Sequence, residues 1–61
     1  MGNLTEKELS ALGDLLGAEE LLVKKFEMLA ASTQDQALRS KLQGIAKKHQ
    51  QHFDMLYSQL G

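Results

Sequence analysis

Apolar side chains recur every three or four residues along most of the chain, which is the spacing of one face of an α-helix. One such stripe lies in the first half of the chain and a second lies in the other half. The first consists of Leu9, Leu12, Leu16, Val23, Phe26 and Ala30. The second consists of Leu38, Leu42, Ile45, His49, His52 and Leu56. The pattern predicts two long helices in an all-α protein.

The polar residues between and before the stripes predict where the helices begin and end. Thr5 is followed three residues later by Glu8, the spacing of a capping box, and this predicts a first helix from about residue 6 to about residue 31. The stretch 32–35 is polar without periodicity and predicts a turn. Thr33 with Gln36, or Asp35 alone, can cap a second helix from about residue 36 to about residue 59. So short a connection predicts a single antiparallel hairpin domain over residues 1–61.

Both stripes are broader than the contact between two helices can cover. A further column of leucines widens the first stripe, at Leu15, Leu22 and Leu29. The second is widened by Ala46, Phe53 and Leu60, while Arg39, Lys41, Lys47 and Lys48 are predicted to face away from it. A hairpin alone would leave large apolar groups in water, and such patches mark association surfaces. We therefore predict a homodimer of hairpins, which would form a four-helix bundle.

Polar residues interrupt both stripes at one level of the predicted hairpin. A fold at residue 33 or 34 pairs positions whose numbers sum to about 67 or 68, which puts Glu19 opposite His49. His52 follows His49 at i+3 and points to the same side of its helix. The sequence therefore predicts that Glu19, His49 and His52 meet. Glu20 and Glu27, at the edge of the first stripe, are weaker candidates.

This polar layer has three interpretations. Two imidazoles and a carboxylate can bind Zn or Fe, although no cofactor is certain, and one carboxylate per chain is too few to favour a bridged di-iron centre. Alternatively, the layer is structural, and Glu19 binds a histidine to fix the pairing of the helices. In the third interpretation, the histidines lie on the surface and face water.

Composition and charge exclude several classes of function. Seven basic and eight acidic residues are spread without a block of like charges, which argues against a nucleic-acid partner. Apolar runs are too short to span a membrane, and cysteine is absent. Nucleophile and phosphate-loop motifs are not found, so we expect no enzyme activity. The expected location is the cytoplasm or a spore, in soluble form.

One known family combines these features. The relevant residues are Asp14-Leu15-Leu16 and Glu19, followed by Leu38-Arg39, Leu42, Ile45, His49-Gln50, His52 and Leu56-Tyr57. Over nearly the whole chain this pattern resembles the spore coat F-like proteins, which are ferritin-like helical proteins of spore-forming bacteria. The resemblance implies a ferritin-like half-bundle, a homodimer and a role in or near the spore coat, with other coat-type helical proteins as candidate partners. It also places Glu19, His49 and His52 where ferritin-like helices carry their ligands.

Three functions follow from these features as hypotheses. The leading one is a structural or interaction protein that resembles spore coat components and acts as a homodimer. The alternative is a small metal-binding, ferritin-like protein that uses Glu19, His49 and His52. The third is a regulatory module whose apolar stripe captures a helix of another protein.

Overall fold

Two helices and one short turn of 3-10 helix make up the part of the chain that the computed structural model describes, residues 4–61. Helix α1 spans Glu6–Ser32, helix α2 spans Gln36–Tyr57, and the 3-10 turn η1 spans Ser58–Leu60. The two helices pack against each other as a hairpin, which confirms the predicted all-α hairpin. The predicted second helix ends in the 3-10 turn rather than as α-helix. Residues 1–3 of the predicted domain lie outside the described residues.

The start of α1 is the capping box that the sequence predicts. The Glu8 backbone N–H donates to Thr5 Oγ1 over 3.0 Å, and the Thr5 backbone N–H donates to Glu8 Oε1 over 2.9 Å. These two hydrogen bonds satisfy donors that a helix N-terminus leaves without partners in the helix. The backbone and side-chain hydrogen bonds from Thr5 hold the pKa of the Glu8 carboxyl below its ordinary value.

The turn uses only one of the two predicted caps for α2. Asp35 is the N-cap, and its Oδ1 accepts from the Leu38 backbone N–H over 3.0 Å. Thr33 instead accepts from the Asp35 backbone N–H over 3.2 Å through its Oγ1. The prediction of a Thr33–Gln36 capping box is therefore wrong. Helix α2 begins at Gln36, so its N-cap position is residue 35 and Thr33 lies two residues too early.

Arg39 was predicted to face away from the hairpin, and the structure corrects this. Its guanidinium turns back toward the end of α1, where Nε donates to the Ala30 carbonyl over 3.2 Å and Nη2 donates to the Thr33 carbonyl over 2.6 Å. Helix α1 has no basic residue in its own last turn. Arg39 of α2 thus supplies the positive charge and the donors that the carbonyls at a helix C-terminus favour.

The contact between the helices differs from the predicted stripe on α2. The buried and half-buried side chains of α2 recur at spacings of three and four, at Arg39, Leu42, Ala46, His49, Phe53 and Leu56. Three residues predicted inside the stripe, Leu38, Ile45 and His52, are exposed. Leu42, His49 and Leu56 remain in the contact, so the helix is rotated by about half a residue, roughly 50°, relative to the prediction. Ala46 and Phe53, predicted as a flank, lie in the contact.

The contact hides little apolar surface. Among residues 4–61, the buried side chains are Leu12, Val23, Ala30 and Ala46. Leu16, Leu22 and Phe26 of α1 are half-buried, and Leu9, also predicted in the stripe, is 49% exposed. A core of this size is marginal for a chain of this length.

The two broad sides of the hairpin differ in polarity. One side carries a groove of about 730 Å3 that is lined by five polar residues of the two helices, including Glu27, Arg39, Gln43 and Gln50, and by three alanines. The other side carries the column of leucines on α1. Glu20 and Glu27 each follow one of these leucines by five residues, which places them about 140° away around the helix. The pairing of Glu19 with His49 sets the register, so these leucines lie level with Leu38, Ile45 and His52. We call this side the leucine face: Leu15, Leu22, Leu29, Leu38, Ile45 and His52.

Candidate functional site

Glu19, His49 and His52 form a cluster at the middle of the hairpin. Glu19 lies 13 residues from either end of α1, so fraying of the helix ends does not reach it. His49 and His52 lie nearly one turn apart on α2 and present their rings to the same carboxylate. One potential ligand atom from each of the three side chains lies within 4.8 Å of the other two. The structure thus confirms the predicted meeting of these three residues.

The closest contact of the cluster joins Glu19 to His49. His49 Nδ1 lies 2.6 Å from Glu19 Oε1, and both side chains are about four-fifths buried, at 23% and 18% exposed. An ionised carboxylate can only accept hydrogen bonds, so the proton of this bond is on His49 Nδ1. A short bond of this kind between a ring N–H and a carboxylate is charge-assisted.

Phe26 supports the His49 ring from the side of α1. The two rings are stacked, with centroids 5.8 Å apart and planes inclined by 11°. Phe26 follows Glu19 by seven residues, and therefore lies on the same side of α1, two turns further along. The sequence interpretation did not assign Phe26 to the site, although this seven-residue spacing was a signal for it.

His52 is held less tightly and lies nearer to solvent. Its Nδ1 is 3.5 Å from Glu19 Oε2, and its side chain is 52% exposed. Its ring meets the His49 ring edge-on, with centroids 5.7 Å apart and planes at 85°. The cluster is therefore not a buried layer. It opens from the helix contact toward the leucine face, to which His52 belongs.

The two weaker candidates from the sequence lie elsewhere. Glu20 and Glu27 both line a smaller groove of about 280 Å3, together with Lys24 of α1 and Gln50 of α2. Glu27 also lines the larger groove on the same side of the hairpin. In residues 4–61, the group with the spacing of metal ligands includes Glu19 and neither of these two residues.

Three functions of the cluster are chemically available. Two imidazole nitrogens and a carboxylate oxygen are donors that bind borderline transition metals. The same groups can fix the register of the helices through the Glu19–His49 bond alone. General acid–base chemistry would need a substrate beside His52, the most exposed of the three side chains.

Comparisons of the chain with protein-family models, with curated proteins and with solved structures found no significant match. The resemblance to spore coat F-like proteins accordingly stays a prediction. Neither helix in residues 4–61 is long and apolar enough to cross a membrane.

Proposed function

We propose that the protein is a structural, self-associating protein that works as a homodimeric four-helix bundle. The observation that supports this proposal is the leucine face. Four of its five aliphatic side chains are exposed, at 52% for Leu15, 42% for Leu29, 45% for Leu38 and 37% for Ile45. Continuous apolar patches of this kind on a small protein mark surfaces that associate.

A second copy of the chain fits this face in size. The Cα atoms span 47 by 15 by 10 Å, so a broad side of the hairpin has a projected area of roughly 700 Å2. A standard stable interface buries about 800 Å2 on each partner. A two-fold axis would pack one leucine face on the other and enclose a core between four helices.

The opposite side of the hairpin is less suited to self-association. It carries the grooves lined by Glu20, Glu27, Gln43 and Gln50, and of its apolar residues Ala46 is buried and Phe53 half-buried in the helix contact. Burying carboxylates and amides without partners would cost more than it gains. The proposed bundle therefore leaves this side in water.

The biological role that we propose is that of a component in or near the spore coat, with this chain and other coat-type helical proteins as partners. Its support is the resemblance of the residues from Asp14 to Tyr57 to spore coat F-like proteins. A role in assembly also agrees with a chain that offers a large apolar face and a small core.

Sedimentation equilibrium of the wild type and two charge variants tests the dimer. Ile45→Lys places a charge in the leucine face, and Gln43→Lys places the same charge in the polar groove. We expect the wild type and Gln43→Lys at twice the 6.8 kDa chain mass, and Ile45→Lys as a monomer or as an unfolded chain. Circular dichroism distinguishes these last two states, and either supports the proposed interface.

Two results would overturn the proposal. A monomeric, folded wild type at high micromolar concentration would mean that the leucine face does not bind a second copy. It would favour the regulatory hypothesis, in which this face captures a helix of another protein. A dimer that survives Ile45→Lys but dissociates in Gln43→Lys would place the interface on the polar side.

A further inference from the structure

We infer that Glu19, His49 and His52 form a mononuclear site for a borderline divalent transition metal, with Zn2+ as the best match. The site is complete within one hairpin, because α1 supplies the carboxylate and α2 supplies both imidazoles. All three ligands therefore come from one chain, although His52 also belongs to the leucine face that the proposed dimer would cover.

The donor set selects the class of ion. Imidazole nitrogen suits zinc, copper, nickel and iron, whereas Mg2+ and Ca2+ require mainly oxygen donors. Two nitrogens and one carboxylate oxygen are the protein ligands of several open zinc sites, in which water or another small ligand takes the fourth position. The cluster has a single carboxylate, which is too few to bridge two iron ions in one hairpin.

The distances in the cluster are close to those that an ion requires. Ligand atoms about 2.1 Å from a tetrahedral zinc ion lie about 3.4 Å from one another. His52 Nδ1 and Glu19 Oε2 are already 3.5 Å apart. His49 Nδ1 and Glu19 Oε1 are 2.6 Å apart and must separate by less than 1 Å. All three potential ligand atoms lie within 4.8 Å of one another, so the longest separation must close by no more than about 1.4 Å.

Binding replaces one hydrogen bond by metal–ligand bonds. The proton on His49 Nδ1 leaves to solvent while Nε2 takes one up, so the ring stays a neutral imidazole and the lone pair freed on Nδ1 binds the ion. The carboxylate of Glu19 keeps its negative charge and passes from hydrogen-bond acceptor to ligand. Phe26, stacked on His49, holds the ring in the orientation that aims Nδ1 at this point.

In the proposed dimer His52 would be covered with the rest of the leucine face, so the ion enters the single hairpin, where the exposure of His52 provides the entry path. Its side chain is 52% exposed, while those of Glu19 and His49 are mostly covered. An ion from solvent therefore meets His52 first and then displaces the hydrogen bond beneath it. Once bound, it links α1 to α2 at the middle of the hairpin, so it should raise the melting temperature of the whole chain.

Calorimetric titration of chelator-treated protein with Zn2+ and with Mg2+ tests the site. We expect saturable Zn2+ binding at one ion per chain, a rise in melting temperature, and neither effect with Mg2+. His52→Ala and Glu19→Gln should each weaken Zn2+ binding by more than about tenfold. Gln51→Ala, the exposed neighbour of His52, is the matched control and should bind as the wild type does.

Co2+ gives a second readout that does not depend on stability. Intense visible absorption on Co2+ addition would report a four-coordinate site, and His49→Ala should abolish it. The Ile45→Lys variant should keep the absorption if it stays folded, which separates this site from the dimer.

Three results would overturn the inference. They are the absence of saturable Zn2+ binding, Zn2+ binding that persists unweakened in His52→Ala and Glu19→Gln, and a stoichiometry of one ion to two chains. The last would place the site between chains.

Discussion

Glu19 Oε1 accepts a hydrogen bond from His49 Nδ1 over 2.6 Å, and this bond joins residues 30 positions apart in the chain. It is the polar contact at the centre of an otherwise apolar helix pair. Both side chains are mostly covered, so neither can exchange its partner freely for water. The relationship between these two residues therefore affects the register of the hairpin whether or not an ion binds.

Removing one partner of this bond should destabilise the hairpin more than removing both. Glu19→Leu leaves the His49 N–H without its acceptor, and we expect a loss of about 1 kcal/mol, below the full value for a charged hydrogen bond because the pair is partly exposed. His49→Leu should cost a similar amount. The double variant should be as stable as the wild type or more so, because leucines suit this position between apolar residues.

Urea unfolding of the four proteins at one fixed concentration measures this cycle, since the proposed association makes stability depend on concentration. The coupling energy should be about 2 kcal/mol, because each single variant loses about 1 kcal/mol and the double variant loses none. Additive losses in the double variant would mean that the bond contributes nothing to the pairing of the helices.

Arg39 should contribute to stability through the end of α1 rather than through its own helix. Arg39→Gln removes the donors to the Ala30 and Thr33 carbonyls, and we expect a loss of about 1 kcal/mol. Lys47→Gln is the matched control, because it removes the same charge from the same groove and should change stability by no more than a few tenths of a kcal/mol.

Thermal unfolding followed by circular dichroism measures both variants. Arg39→Lys refines the comparison, since an ammonium group keeps the charge but cannot reach both carbonyls with the planar fork of arginine. If Arg39→Gln and Lys47→Gln lose equal stability, charge alone acts there and the two hydrogen bonds do not.

Gly17 should tolerate a larger residue with a gain in stability. It lies inside α1. Apart from its two neighbours in sequence and the nearby backbone of the helix itself, a Cβ added there would meet no atom within 4 Å. Gly17→Ala is therefore expected to stabilise the helix by about 1 kcal/mol, because alanine loses less backbone freedom on folding.

Gly17 also lies away from the leucine face, so the gain should remain in the proposed dimer. Differential scanning calorimetry of Gly17→Ala beside the wild type measures it. An unchanged or lower melting temperature would show that another chain closely approaches α1 at Gly17, contrary to the proposed interface.

Local sequence signals predicted the ends of the helices well. The Thr5–Glu8 capping box and the polar stretch after Ala31 depend on residues a few positions apart, and their hydrogen bonds form within one helical turn. For the same reason the meeting of Glu19 with His49 was predictable. When a short turn joins two straight helices, residues at equal distances from the turn lie opposite each other, so counting from the turn gives the pairs.

The side of α2 that faces α1 was less predictable. On α2, the columns through Ile45 and His52 and through Ala46 and Phe53 are both partly apolar, and they lie on either side of Leu42 and His49. The sequence pattern favours the first column, and the structure buries the second. The two columns lie about 100° apart around the helix, so a rotation of roughly 50° is enough to move His52 from the contact to the surface.

The sequence by itself determined the helices, the cap of α1, the hairpin and the level at which its polar residues meet, because each of these depends on spacing along the chain. Only the tertiary structure decided the rotation of α2, the exposure of His52 and the inward turn of Arg39. These depend on how side-chain volumes fit across the contact. Two of the four buried residues, Ala30 and Ala46, are small, and the residue spacing along one helix does not show which side-chain volumes the other helix brings to the contact.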